Sequence, residues 1–142
     1  MSNAVFGQGT LVKRGDGAGS EVFTTIAEVG TITGPSQRSE FIDVTSQDSV
    51  SGYREFISGL IDPGEITFQV NYVPANATHK ALLADFKAKT SAAYKIVFDQ
   101  VTSDPEWTFT ATPTAAELTA PVDGQLQLSC TLKVSGAVTY PT

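Results

Sequence analysis

The 142-residue chain fits one domain, residues 1–142, long enough to bury roughly 68–70% of its unfolded surface without disulfides or metals. Hydrophobic residues make up 41% and charged residues 17%, the composition of a globular protein whose surface leans on Ser, Thr, Gly and Gln. A net charge of −6 without a Lys/Arg cluster argues against tight nucleic-acid binding, and no apolar run approaches the roughly 18 residues of a membrane helix, so no membrane partner is expected.

The amino terminus, Met-Ser-Asn-Ala-Val-Phe-Gly, lacks the basic and apolar regions of a signal peptide, and residues 1–9 read as a loose arm. Thr10 to Arg14 reads as a first strand, Gly15-Asp16-Gly17-Ala18-Gly19 as a flexible hairpin tip, and Glu21 to Val29 as a second strand. Gly30 to Gly64 follows as a long loop rich in Ser, Thr, Gly and Asp, with a weaker strand candidate at Glu40 to Val44 and apolar pieces at Phe41-Ile42 and Phe56-Ile57. Structureless loops longer than about 12–15 residues are uncommon in compact domains unless they are used. This one reads either as folded over a sandwich or as a contact between subunits. Gly34 to Gly52 is too polar to offset its own backbone ordering and is expected to order on assembly. Asp62-Pro63-Gly64 ends the loop sharply, Pro fixing one dihedral and Gly permitting a positive φ.

In Glu65 to Val73, Ile66, Phe68, Val70 and Tyr72 alternate with Glu65, Thr67, Gln69 and Asn71, a strand with one apolar and one wet face. The period then changes. Thr78 to Lys89 places Leu82, Leu83 and Phe86 at helical spacing, which predicts a short amphipathic helix packed through those residues and capped by Asn76 or Thr78. Tyr94 to Gln100 and Glu106 to Thr112 read as strands that put Tyr94, Phe98, Trp107 and Phe109 into the core, and Thr114 to Ala120 is a weaker candidate. The strongest alternation runs from Gln125 to Val134, with Leu126, Leu128, Cys130, Leu132 and Val134 on one face; the tail 138–142 reads as a second loose arm. The fold class is mainly β, a β-sandwich or barrel with one flanking α-helix and the long loop, about 30–64.

Catalytic chemistry has little to work with. The sole histidine, His79, lies beside Leu82 and Leu83 and reads as structural, and Cys130 among strand leucines reads as an inert core thiol that no disulfide can use. Asp43, Asp48, Asp62 and Asp85 are scattered without calcium-loop spacing, and neither Gly7-Gln8-Gly9 nor the Gly15 to Gly19 run carries the Lys-Ser/Thr ending of a phosphate loop. No catalytic residue, cofactor or metal ligand is assigned, and an enzyme is not expected.

One segment is more specific: Ser51-Gly-Tyr-Arg-Glu-Phe-Ile-Ser-Gly-Leu-Ile-Asp-Pro-Gly-Glu-Ile-Thr-Phe-Gln-Val-Asn-Tyr72, followed by Val-Pro-Ala-Asn and the Leu-Leu helix. It resembles the tail tube (major tail) proteins of long-tailed, lambda-like siphophages. Gly59, Leu60, Asp62, Gly64 and Glu65 match a Gly-Leu-x-Asp-x-Gly-Glu element, Tyr72 and Pro74 a Tyr-x-Pro strand ending, and the similarity continues to Tyr94-Lys-Ile-Val-Phe98. In order it covers Ile32 to Val134, and it is sharpest from Gly52 to Phe98.

The resemblance implies the phage tail tube fold, related to type VI secretion tube proteins, and a structural virion protein that stacks as hexameric rings into the conduit for DNA ejection. It implies a bare tube module without an immunoglobulin-like carboxy-terminal domain. An assembly loop would use Phe41, Ile42, Tyr53, Phe56 and Ile57 together with the motif residues. Implied partners are the chain itself, a tape measure protein, and tail terminator and tail-tip proteins, with DNA passing an acidic lumen without tight binding. Implied locations are the virion tail and, during assembly, the host cytoplasm. The other readings are a monomeric β-sandwich module binding carbohydrate or protein, a secretion-system tube protein, and a hydrolase working through Asp and Glu.

Overall fold

The computed structural model describes residues 7–16, 22–98 and 105–140. In chain order it contains β1 (Thr10–Gly15), β2 (Phe23–Thr25), β3 (Val29–Thr33), β4 (Arg38–Asp43), β5 (Phe56–Asp62), β6 (Glu65–Asn71), α1 (Ala77–Ala88), β7 (Ala92–Phe98), β8 (Glu106–Thr119) and β9 (Gln127–Thr139). Seven strands form one antiparallel sheet in the order β2-β1-β7-β8-β9-β6-β3, while β4 and β5 pair only with each other. The two ends of the seven-stranded sheet, β2 and β3, are separated in sequence by Ile26, Ala27 and Glu28 alone. The sheet must therefore curl back on itself, and it does so as a barrel-like sandwich.

Two corners make this possible. Ile26 is buried and its N–H reaches the Val12 carbonyl at 2.9 Å, whereas Glu28 takes the left-handed conformation with φ 62. The single strand expected over Glu21 to Val29 is thereby corrected to two, because the chain leaves β1 at the corner and continues as β3 beside β6. Glu21 and the glycine-rich tip beyond Asp16 lie outside the described residues. The second corner is in β8, which pairs with β7 from Glu106 to Ala111 and with β9 out to Thr119. The two strands expected over Glu106 to Thr112 and Thr114 to Ala120 are one. Its register shifts between Pro113 and Ala115, where the missing proline N–H costs no regular ladder bond.

The alternating apolar faces of β6 and β9 meet in register inside the barrel: Ile66 stands opposite Leu132, Phe68 opposite Cys130 and Val70 opposite Leu128, all buried. Each such side chain contributes roughly 1.5–3 kcal/mol when fully buried. Tyr94 and Phe109 stack side by side on the neighbouring strands β7 and β8 at 6.2 Å, and burial, with help from the Asp85 charge, pushes the Tyr94 phenol up to about 12. Burial also pushes the Cys130 thiol up to about 11, which keeps it protonated and inert. Phe98 and Trp107 pack at the margin of the core rather than in its centre. The tail expected to be loose is docked as far as Tyr140: β9 runs to Thr139, the Tyr140 ring meets Trp107 edge-on at 4.8 Å, and its hydroxyl donates to Gln37 Oε1 at 2.5 Å.

The helix closes one side of this core. Asn76 caps it by accepting the Thr78 N–H at 2.9 Å, and Lys89 ends it in the left-handed conformation. Its buried residues are His79, Leu82 and Asp85; Leu83 is half-buried, and Phe86, expected to pack inward, is 38% exposed. The cause is an ion pair. Arg14 of β1 grips Asp85 with Nε at 2.5 Å from Oδ2 and Nη2 at 2.8 Å from Oδ1, which turns Asp85 toward the sheet and Phe86 away from it. That bond is the main reason the Arg14 guanidinium holds its proton more tightly than usual. His79 uses both ring nitrogens, Nε2 donating to the Ala27 carbonyl at 2.7 Å and Nδ1 accepting the Val73 N–H at 3.2 Å. It pins the helix to the β2–β3 corner, a structural role.

Leu82→Ala should cost about 2–5 kcal/mol because the side chain is 1% exposed, whereas Phe86→Ala should stay within about 0.5 kcal/mol of the parent. Urea unfolding of both variants checks this, and the opposite ranking would restore the helix rotation expected from spacing alone.

Candidate assembly interface

Much of the segment expected as a long loop, Gly30 to Gly64, is strand: β3 runs to Thr33, and β4 and β5 form a separate hairpin. Ile42 pairs with Ile57, Phe41 with Ser58 and Asp43 with Phe56 before a shift in register, beyond which Ser39 pairs with Ile61 and Arg38 with Asp62. The polar residues that were expected to keep this stretch unordered bond to one another. Glu55 receives the Val44 N–H on its carbonyl at 2.9 Å and donates its own N–H to Thr45 Oγ1 at 2.7 Å, while Ser49 Oγ donates to the Glu55 carboxylate at 2.9 Å. The hydroxyl and N–H of Thr45 hold the Asp43 carboxyl below its ordinary range.

The hairpin is tied down at its base. Asp62 Oδ1 accepts the Gly64 N–H at 2.9 Å, with Lys133 Nζ at 3.5 Å, and the two together, the Gly64 bond foremost, lower the Asp62 carboxyl below the usual carboxylate range. A lowered folded value means that this contribution is present above the ordinary carboxylate range and is lost as pH falls through the folded value. Ser36 N–H reaches the Glu65 carbonyl at 3.1 Å, and Val134 N–H reaches the Gly64 carbonyl at 3.0 Å. Gly64 sits at φ 75, where a Cβ would run into the Ser36 carbonyl. Glycine is required there for two separate reasons.

Strand alternation puts Ile42 and Ile57 on one face of the hairpin and Phe41 and Phe56 on the other. All four are exposed, with Phe41 at 69%, and Tyr53 at 75% and Leu60 at 85% are more exposed still. The hairpin is thus apolar on both sides and covered on neither. Every residue expected in the assembly loop falls on this arm or at its base: Phe41 and Ile42 on β4; Phe56, Ile57, Gly59, Leu60 and Asp62 on β5; Tyr53 just before β5; Gly64 and Glu65 at the turn into β6. Ile61 and Val44 are exposed on the same arm and were not among the residues expected there.

Open sheet edges are the second feature. Among the described residues no strand pairs with the outer side of β3, or with β8 beyond Ala111 on the side away from β9. A groove of about 760 Å³, lined in part by Thr10, Ile32, Ile96, Phe98 and Trp107, opens beside β3. Leu118, 54% exposed, stands on the free length of β8. Among the described residues no group of three or more His, Cys, Asp or Glu could hold a metal. An arm and two edges built this way are suited to chain association rather than to catalysis.

The family profile described as phage tail tube, lambda-like, matches residues 3–142. The chain belongs to this family. It is a structural tube protein of the virion tail and not an enzyme. Solved structures share the fold. The tail of an empty gene transfer agent particle, refined with C6 helical symmetry, has a TM-score of 0.76 at 21% identity, over 98% of this chain and 100% of that one. The SPP1 tail tube has a TM-score of 0.70 at 14% identity, over 97% and 80%. The sheath-tube complex of an extracellular contractile injection system gives 0.70 at 14% identity, over 99% and 95%. No curated protein matches the chain in sequence.

For this tail tube protein, Gly64→Ala should destabilise by more than about 1 kcal/mol, since backbone strain and the Ser36 contact add. Gly52, at φ 73 with open space around its would-be Cβ, isolates the strain alone. Thermal unfolding of Gly64→Ala and Gly52→Ala should show the larger loss at Gly64; equal losses would mean that the Ser36 backbone yields.

Proposed function

We propose that the chain assembles with copies of itself into hexameric rings, and that the rings stack into the tube through which a siphophage ejects its DNA. The observation that carries this reading is an ordered arm, apolar on both faces, beside a sheet left unpaired along β3 and along β8 beyond Ala111. Joining the free edge of β3 in one copy to the free length of β8 in the next would satisfy both edges and run the strands β3-β6-β9-β8 continuously around a ring. The arm, with Phe41, Ile42, Tyr53, Phe56, Ile57 and Leu60, would then cover a copy in the adjacent ring, while Gly59, Asp62, Gly64 and Glu65 set its angle. Leu82 and Leu83 hold the helix to the body of the single 142-residue domain, and Phe86 remains free at its surface.

The number six is supported by the C6 symmetry of the similar gene transfer agent tail. A terminator partner is supported by the similar sheath/tube terminator structure of a contractile injection system, with a TM-score of 0.70 at 13% identity. A tape measure protein and tail-tip proteins complete the partner set by the resemblance of the motif, with assembly in the host cytoplasm. Free subunits carry a net charge of −6, which slows premature association and leaves duplex DNA unbound.

Concentrated wild-type protein should form tubes in negative-stain micrographs, and a Phe56→Ser/Leu60→Ser double variant should stay dispersed with an unfolding midpoint unchanged from the parent, because both side chains are exposed in the subunit. Tubes of ordinary length from the double variant would remove the arm from ring stacking. Neither subunit nor tube should bind duplex DNA with submicromolar affinity at about 0.15 M salt; such binding would contradict a conduit that releases its cargo.

A further inference from the structure

The groove beside β3 is a piece of core that the subunit leaves open. Its volume is about 760 Å³ and its walls are chiefly apolar: Ile96 belongs to the buried core, and Ile32, Phe98 and Trp107 pack against that core from its margin. An apolar concavity of this size, left to water, favours whatever can cover it. The chain itself carries a matching side chain. Leu118 stands opposite Leu128 across the β8–β9 ladder, and residues directly opposite share one face of a sheet, so Leu118 points to the core side with Leu128. Leu128 is buried whereas Leu118 is 54% exposed, because among the described residues no strand lies on the far side of β8 at that level. Three strand spacings, roughly 14 Å, separate β8 from β3, so Leu118 cannot enter the groove of its own chain.

The ladders β3–β6, β6–β9 and β9–β8 are all antiparallel, so β3 and β8 run in opposite directions. A rotation about a ring axis changes neither a strand's direction along that axis nor which side of its sheet faces the core. Free edges of two copies brought together therefore meet antiparallel, with the core side of one continuous with the core side of the other. Leu118 of one copy then lies on the side where Ile32 of the next lines the groove. We propose that the groove beside β3 receives the free length of β8 from a second copy, with Leu118 as the side chain that enters it. The proposal rests on the tube reading above, and it names what that reading leaves open, the side-chain contact that selects the register of the joint.

Backbone bonding alone does not fix that register. An antiparallel ladder repeats every two residues, so sliding one strand by a repeat offers the same N–H and C=O groups to its neighbour. Only one such position puts Leu118 over the groove, and Ala116, on the same face, adds apolar area there without bulk. The contact also has a direction. Groove and leucine sit at opposite edges of the four-stranded patch, so each copy gives one contact and receives one, which closes a ring rather than a pair.

Trp107 is the sole tryptophan of the chain and lines the groove, so its emission reports whether the groove is covered. Acrylamide should quench it readily in the dispersed subunit; in wild-type tubes the emission should move to the blue and quenching should fall several-fold. Trp107 equally quenchable in both states, or already shielded in the dispersed subunit, would overturn the proposal. Cross-linking with a short-span bismaleimide identifies the occupant, because the native Cys130 is buried and does not compete. Tubes of a Thr31→Cys/Leu118→Cys double variant should give a ladder of joined copies on a denaturing gel, and either single variant none. A ladder from Thr31→Cys/Leu60→Cys in its place would put the arm of another ring in the groove and overturn the assignment. Leu118→Asp should keep the parent's unfolding midpoint, since the side chain is half exposed, and form no tubes, whereas Leu118→Met should form them. Tubes of Leu118→Asp would contradict the contact. If the cysteine variants do not assemble, the quenching of Trp107 in wild-type tubes decides alone. Wild-type protein that forms no tubes fails the tube reading itself, and the proposal falls with it; tubes in which Trp107 stays exposed fail the proposal alone.

Discussion

Two stretches of chain, residues 23–33 and 106–119, change their strand neighbours half-way along, the first passing from β1 to β6 and the second losing β7 while keeping β9, and the rest of the structure depends on that change. Antiparallel sheets twist, and a sheet whose strands kept their partners throughout would open outward and leave one face wet. By passing from β1 to β6 at Ile26–Glu28, and by running on with β9 alone after Ala111 through a register shift at Pro113–Ala115, the sheet wraps a single core around Phe68, Tyr94 and Leu132. The same manoeuvre leaves each corner strand with a length that has a neighbour on one side only. Closure of the subunit and openness of its edges thus have one cause.

The hairpin adds a second unfinished surface of a different kind. Its backbone is satisfied by its own ladder and by the bonds among Thr45, Ser49 and Glu55, but its apolar side chains have nothing beneath them. An arm already ordered before docking forfeits less conformational freedom on association than a coil would, and burial of its apolar area at about 25 cal/mol/Å² then favours stacking. Gly64 and the Asp62 turn place this arm at a fixed angle to β6, so the contact is directed as well as sticky. The acidic charge acts in the opposite sense, keeping dilute subunits apart.

The sequence showed clearly those parts in which one residue's environment repeats at a fixed period. Alternation in β6 and β9 gave their inward faces and the burial of Cys130, and the helix start was narrowed to Asn76 or Thr78, of which Asn76 is the cap because its side chain satisfies a free N–H. The motif from Gly59 to Glu65 marked the base of the arm. What stayed hidden depends on partners distant in sequence. Asp85 is turned inward by Arg14, 71 residues away, against the apolar spacing of Leu82, Leu83 and Phe86. The corner at Glu28 breaks no pattern, since a left-handed glutamate has no signature of its own. Of the hairpin only β4 was legible, as the weaker candidate Glu40 to Val44; β5 and the pairing escaped because the strands are exposed on both faces, which removes the alternation by which a strand is recognised.

The central claim is that the free edges of β3 and β8 are completed by other copies of the chain. Hydrogen exchange on the dispersed subunit and on assembled tubes tests it most directly, read at the amides of Gly30 to Thr33 and of Ala115 to Thr119. Amides whose partners lie within the subunit should keep the same protection in both states. Those pointing out of the free edges should exchange rapidly in the subunit and become strongly protected in the tube. Rapid exchange at these edge amides in both states would mean that no strand ever pairs there, and the account of ring closure would be contradicted.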